Sequence, residues 1–259
     1  GEYIDVPASG LTIEGYGYDT SGIIKNISGQ SIFRSPAGNS GNLTLSSVYF
    51  NSGLGTVWNL TDGTGGHAIE LNDVNFNGGT LGVLNGYRQF TGTTCGFYGL
   101  SDGLTLEGNW SGFKLTNSNI IALGGSGTLF KKGLTTLFSN RFYIDLNLQV
   151  ATGSKICDFS DSSFSNDKSL QVVNCYCKVN GGINPALTSI LFPNITELSS
   201  KSYFVNNIGI KNSNNMPYGI STENMLTYAN DAAAATGGIV AVGDTYIETS
   251  TGYFKKRLT

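Results

Sequence analysis

Charge is scarce in this chain. Only 13% of its 259 residues are Asp, Glu, Lys or Arg, about half the usual proportion. The net charge is −3 with no basic stripe, which argues against nucleic acid as a partner. The one run of positive charge, Lys255-Lys256-Arg257, reads as a solvated end. There is a single histidine, His67, and no Cys-x-x-Cys pair. A zinc site normally wants such pairs or nearby histidines, so no metal or other cofactor is expected. No apolar run reaches 18 residues, so no membrane insertion is expected. Helical signal is almost absent before residue 221.

What fills the space is glycine, asparagine, serine and threonine. Glycine alone accounts for 36 residues, about twice its usual share of roughly 7%. Large apolar and aromatic residues punctuate the chain throughout, so this is no disordered composition. Asp62-Gly63, Asn77-Gly78-Gly79, Asn85-Gly86, Asp102-Gly103 and Asn180-Gly181-Gly182 mark corners that need positive φ. The chain reads as all-β until its last forty residues.

A repeat organises these corners. Leu43-Thr-Leu-Ser-Ser-Val-Tyr-Phe-Asn51 returns as Ile69-Glu-Leu-Asn-Asp-Val-Asn-Phe-Asn77, with apolar residues in the same four places. The pattern is apolar-x-apolar-x-x-apolar-x-apolar: two short strands in period-2 alternation, with a phase slip where the chain turns. Further copies start at Leu11 (with Ile13, Tyr16, Tyr18), Phe90 (Gly92, Cys95, Phe97), Phe113 (Leu115, Ser118, Ile120) and Leu170 (Val172, Cys175, Cys177). Near Phe142 the alternation runs straight through Ile144, Leu146 and Leu148, and Ile208 and Ile210 close the series. Spacings of this kind predict one coil of a right-handed parallel β-helix per repeat, over seven to nine irregular coils. An ordinary β-sandwich is the alternative. Cys95, Cys157, Cys175 and Cys177 then read as buried thiols in apolar slots, kept in a reducing compartment during maturation.

Residues 1–10 read as a lead-in segment or N-terminal cap, 11–215 as the β-helix, and 216–259 as a C-terminal capping or assembly module. A solenoid exposes strand edges at its ends, and the last segment is a plausible cover. Ser221 or Thr222 would cap a helix from about Glu223, through Met225, Leu226 and Ala232, to Ala235, stopping at Gly237-Gly238. A hairpin of Thr245–Glu248 and Tyr253–Leu258, turning at Ser250-Thr251-Gly252, would follow. The chain starts at Gly1 without a secretory signal, as a processed product, a trimmed piece or a tag remnant would. Asn26, Asn42, Asn59, Asn109 and Asn194 stand in sequons, a weak pointer to secretion in so Asn-rich a chain.

The tail carries a resemblance. Asn230-Asp231-Ala-Ala-Ala-Ala235-Thr-Gly-Gly238, Val242-Gly-Asp-Thr-Tyr246 and Gly252-Tyr253 resemble the C-terminal module of many bacteriophage virion proteins. The Gly-, Asn- and Ser-rich repeats upstream are similar to phage tail spikes and fibres of the pectate-lyase-like class. The resemblance implies a homotrimeric appendage on the virion surface, assembled in the host cytoplasm beside other virion proteins. It would contact a host-surface glycan or protein.

Many such spikes cut polysaccharide, which takes two carboxylates flanking the scissile bond. The nominees are Glu70, Asp73, Asp158 and Asp161, none of them in a recognisable motif; Asp145 is a further outward acid. His67 follows Gly65-Gly66 without a partner set and reads as structural. Aromatics among short polar residues suit sugar rings better, because ring C–H faces stack while amides and hydroxyls take the sugar hydroxyls. Tyr87, Arg88, Tyr98, Trp110 and Tyr203 are the ligand-binding candidates. The expected function is a non-enzymatic spike or fibre. A polysaccharide-degrading spike and a non-viral secreted β-helix adhesin are the alternatives.

Overall fold

A computed structural model describes residues 3–17, 21–24, 28–124, 127–179, 186–196 and 200–211, and the strand segments 227–228, 245–248 and 254–256. The chain winds as a parallel β-solenoid of about six turns, each with a strand on three faces. Coil one is Leu11–Glu14, Gly22–Ile24 and Ser31–Arg34. Coils two and three are continuous bent strands, Leu43–Thr61 and Ala68–Asn85. Coil four is Gln89–Thr93, Gly96–Tyr98 and Asp102–Glu107; coil five is Asn109–Leu123 and Thr128–Lys132; coil six is Leu137–Val150 and Lys155–Asp158. Coil seven keeps two strands, Leu170–Val173 and Tyr176–Val179, but a short helical turn, Thr188–Leu191, packs beside Lys155–Asp158 where its third would stand. That is why six complete turns form rather than seven to nine. Ser202–Val205 adds an eighth rung to the first face, Ile208 bridges Tyr176 on the second, Ile210–Lys211 pairs in parallel with Ala186–Leu187, and Ile4–Asp5 adds a rung to the third face ahead of coil one.

The repeat is physical because like stacks on like. On the first face Leu43, Ile69, Phe90, Phe113, Phe142 and Leu170 align in one inward column. Phe90, Phe113 and Phe142 stack with centroids 4.5 and 4.7 Å apart and rings tilted by 10° and 12°. On the second face Phe50, Phe76 and Phe97 stack at 5.5 and 5.3 Å. Between these faces the chain turns at a residue in the left-handed region. Ser47, Asp73, Thr94, Asn117, Asn174 and Asn206 hold that corner with φ between 49° and 55°. Such a φ is unfavourable for most L-residues and tolerated best by Asn and Asp. Coil six has no such residue and is shorter there, with Leu115 opposite Ile144 and Ser118 opposite Leu146. The straight alternation through Ile144 and Leu146 is the trace of that missing corner.

The imperfect slots have specific remedies. Gly92 is buried, and the Leu115 side chain fills the place its own would take. Ser118 is buried with its hydroxyl accepting from Cys95 N–H at 3.0 Å and donating to Thr116 C=O at 2.8 Å. Asn207 does the same for Cys175 in the eighth rung, at 2.9 Å. A polar side chain is tolerated inside because it satisfies a corner amide. All four cysteines are free and buried, and burial pushes Cys95 and Cys177 up to about 11 and Cys175 to about 12.

Two expectations fail. Tyr16 is almost fully exposed, and Ile23 is the residue that aligns with Phe50; at that corner Ser21 N–H bonds Gly17 C=O, and Tyr18 lies outside the described residues. In the tail, Thr227–Tyr228 is a strand paired in parallel with Thr245–Glu248, where the sequence suggested helix. Tertiary pairing overrides helical propensity there. The rest of that helix lies outside the described residues. The hairpin forms, with Thr245–Glu248 antiparallel to Phe254–Lys256.

Candidate functional site

The sequence candidates divide by side-chain direction. Tyr87 and Trp110 are fully buried. Tyr87 OH shares a 2.5 Å hydrogen bond with Ser40 Oγ, and Trp110 Nε1 donates to Glu107 C=O at 3.1 Å. The two rings stack at 6.4 Å under the corner between third and first faces, and burial pushes the Tyr87 hydroxyl up to about 12. Neither ring can meet a sugar; they close the core. Sequence reading took them for loop aromatics because the third face of each coil was not in its template.

The remaining three are not brought together. Arg88 is exposed ahead of coil four, its Nε donating to Ser111 Oγ at 3.1 Å. Tyr98 is half-buried on the second face of that coil. Tyr203 is on the first face of the eighth rung, with Lys168 Nζ 5.2 Å from its ring centroid.

The nominated carboxylates also fall in two places. Glu70 is exposed on the first face of coil three, and Asp73 is the corner residue of that coil. Asp158 ends the third face of coil six, accepting from the Asn194 amide, and Asp161 sits in the turn that follows. Three coils separate the pairs, about 14 Å along the axis. Asp145, half-buried beside Asn174, is raised by burial although the Asn174 hydrogen bond opposes the shift.

His67 does have a partner. Asp62, with a fully buried carboxylate, accepts from Thr64 N–H at 2.9 Å, Thr64 Oγ1 at 2.7 Å, Gly66 N–H at 3.0 Å and His67 N–H at 2.8 Å. Burial opposes its ionisation, but these bonds outweigh it and hold the carboxyl at about 2. His67 Nδ1 lies 3.1 Å from Asp62 Oδ1 and 3.2 Å from Thr64 Oγ1. Carboxylate and hydroxyl meet the same ring nitrogen, so no proton relay of the Ser-His-Asp kind can run through it. The cluster pins the corner between coils two and three. A depressed carboxylate pKa contributes stability above about pH 4 that is lost as pH falls through about 2. Asp62→Ala is therefore expected to cost about 2 kcal/mol at neutral pH. The gap in melting temperature between variant and parent, followed from pH 6 to pH 2, should close at the acid end.

The recess that the sequence did not indicate lies on the outer side of the third face. It is a groove of about 440 Å³ running across the early coils. Two register columns make its floor. Ser31, Thr56, Thr80 and Asp102 are successive partners in one, and Asn59, Val83, Thr105 and Lys131 in the other. All eight line the groove, and Tyr3 bounds its N-terminal end. The Lys131 ammonium binds Asp102 Oδ2, while Asp102 Oδ1 accepts from Gly103 N–H at 3.0 Å and Thr128 N–H at 3.2 Å. Gln30, also in the lining, has a buried Oε1 without a hydrogen-bond partner, which leaves an acceptor that costs roughly 1–3 kcal/mol unsatisfied. Gly82 lies in the floor with φ +101°, where a Cβ would stand 2.0 Å from Trp58 C=O.

Chemically this is a channel of hydroxyl and amide groups without net charge, with Val83 at its middle and the Tyr3 and Trp58 rings also in its lining. Its one carboxylate is already engaged, and glycoside hydrolysis ordinarily uses two. The signal existed in the sequence: Thr56-Val-Trp-Asn-Leu60, Thr80-Leu-Gly-Val-Leu84 and Asp102-Gly-Leu-Thr-Leu106 share a pattern of two adjacent buried positions followed by a third. Among the described residues no group of three or more His, Cys, Asp or Glu side chains is placed to hold a metal ion. No helix of the described chain is long and apolar enough to cross a membrane. Comparison with family models, with curated proteins and with solved structures finds no match to this chain.

Proposed function

We propose that this chain is a rigid appendage that holds a carbohydrate-bearing surface in the third-face groove without cutting it. The observation that carries the reading is the groove itself: about 440 Å³ lined by short hydroxyl and amide side chains on stacked rungs, with no net charge. Sites of this kind orient a ligand by a few placed polar groups over a small apolar contact. A solenoid suits the task because its coils lock one another into a stiff rod. The tail resemblance extends the reading to a homotrimeric phage spike or fibre on the virion surface, facing a host-cell glycan. Its hairpin-ended tail would serve assembly.

Thr80→Arg tests the groove. Thr80 points outward from the middle of the floor, so the longer charged side chain fills the channel without touching the core. Binding to the host surface or to an immobilised neutral glycan should fall at least tenfold, while the melting temperature stays within a few degrees. Full binding by this variant would move the contact away from the groove. Native mass by light scattering, before and after removal of residues 221–259, tests the trimer and its assignment to the tail.

A further inference from the structure

The groove's dimensions carry more than its chemistry. Its lining residues repeat at the coil spacing, because each is the register partner of the one before. Adjacent rungs of a parallel sheet stand about 4.8 Å apart. From Ser31 in coil one to Lys131 in coil five the groove therefore crosses five coils along the solenoid axis, and both columns line it in coils two, three and four.

Resting on the glycan reading above, we infer that the groove takes a neutral, extended, equatorially linked glycan laid along the solenoid axis, with one sugar ring per coil. An extended pyranose chain advances by nearly one rung spacing per ring. The three central rings each meet one residue from either column, Thr56 with Asn59, Thr80 with Val83 and Asp102 with Thr105, while the end rings meet Ser31 and Lys131. A peptide strand advances only about 3.3 Å per residue and falls out of step within two coils. Axially linked glucans curve away from a straight channel. Charge sets the rest. The one ammonium in the floor, Lys131, is taken by the one carboxylate, Asp102, so a sulfated or carboxylated chain finds no unpaired cation to offset its desolvation. Val83, 37% exposed at the centre, gives a ring C–H face its apolar contact.

The test is calorimetric titration of the full chain with two neutral, equatorially linked series, cello- and chito-oligosaccharides of two to seven rings. Malto-oligosaccharides and a sulfated chain, heparin, serve as controls. Affinity in at least one neutral series should rise with each ring to about five, then level off. It should change less than twofold between low and high salt. Blocking variants should act by rung: Thr80→Arg at the centre removes the gain from every ring beyond two, while Lys131→Ala at the far end shortens the plateau by one ring. Both side chains face outward, and circular dichroism checks that each variant folds.

Affinity that ignores length, or that is highest for heparin, overturns the inference. If a neutral glycan binds without length dependence and Thr80→Arg still abolishes binding, the axial alignment falls but the groove reading stands. If Thr80→Arg leaves binding intact, or no neutral chain binds, both fall.

Discussion

Phe113→Ala is expected to cost about 3–5 kcal/mol, the range for removing a buried aromatic side chain. Phe113 is the middle ring of the first-face column, 4.5 Å from Phe90 and 4.7 Å from Phe142, with Phe130 edge-on at 5.1 Å. It is 1% exposed. Alanine there loses the transfer free energy of the ring, opens a cavity between three others, and cuts two stacked pairs worth roughly 0.5–1.5 kcal/mol each. Since domain stabilities are typically about 5–15 kcal/mol, this is a large part of the whole. The loss should also be uneven. In a solenoid each coil rests only on its neighbours, so a weak rung divides the stack. Urea unfolding followed by circular dichroism gives the total. Hydrogen exchange should show amides of 89–93 and 141–144 losing protection while those of 43–46 keep theirs. A cost below about 1 kcal/mol would mean that the aromatic column is not the spine of the fold.

Gly82→Ala is expected to be nearly as severe, about 3 kcal/mol or more, and to impair ligand binding as well. Two effects add. A residue with a side chain at φ +101° carries strain of about 1–3 kcal/mol. Its Cβ would also stand 2.0 Å from Trp58 C=O and 2.4 Å from the Thr56 methyl, an overpacking that backbone movement alone can relieve. Trp58 and Gly82 are register partners at the third face, so the movement would open that pairing between coils two and three. It would also displace Thr80 and Val83 in the groove floor. Thermal unfolding and glycan titration of the same variant read both consequences. A stable variant with normal binding would show that the third face tolerates rearrangement at its centre. Compared with Thr80→Arg, which should lose binding with the fold intact, it separates the scaffold from the contact.

The fold was legible wherever the chain obeyed period 2 on its first two faces. Leu43, Leu45, Val48 and Phe50 announce the same slots as Ile69, Leu71, Val74 and Phe76, and the structure stacks them in register. Even the irregularity at Phe142 was visible, because a missing corner residue leaves the alternation unbroken. Coil one was misread at Tyr16, since the slot opposite Phe50 is filled by Ile23 and the spacing of apolar letters does not fix their direction. Thr227–Tyr228 was misread because a short strand is decided by its partner, Thr245–Glu248, and not by neighbouring alanines.

The site was harder to see than the fold, for a reason that Trp110 and Thr80 make plain. An aromatic beside Asn and Ser looks the same in sequence whether it stacks on a ligand or seals a corner; Trp110 does the latter, with its Nε1 on Glu107 C=O. Thr80 looks like any surface threonine until register sets it between Thr56 and Asp102. Sequence by itself determined the parallel solenoid, its repeat, the burial of its cysteines and its shortage of charge. Those are properties of local alternation and composition, which act within one coil. The groove and the removal of Tyr87 and Trp110 from any surface were decided by tertiary structure alone, whereas the Asp62–His67 corner is a local turn closed within five residues. The groove and the Tyr87 packing depend on residues more than 20 positions apart meeting across coils, and register between coils is set by packing.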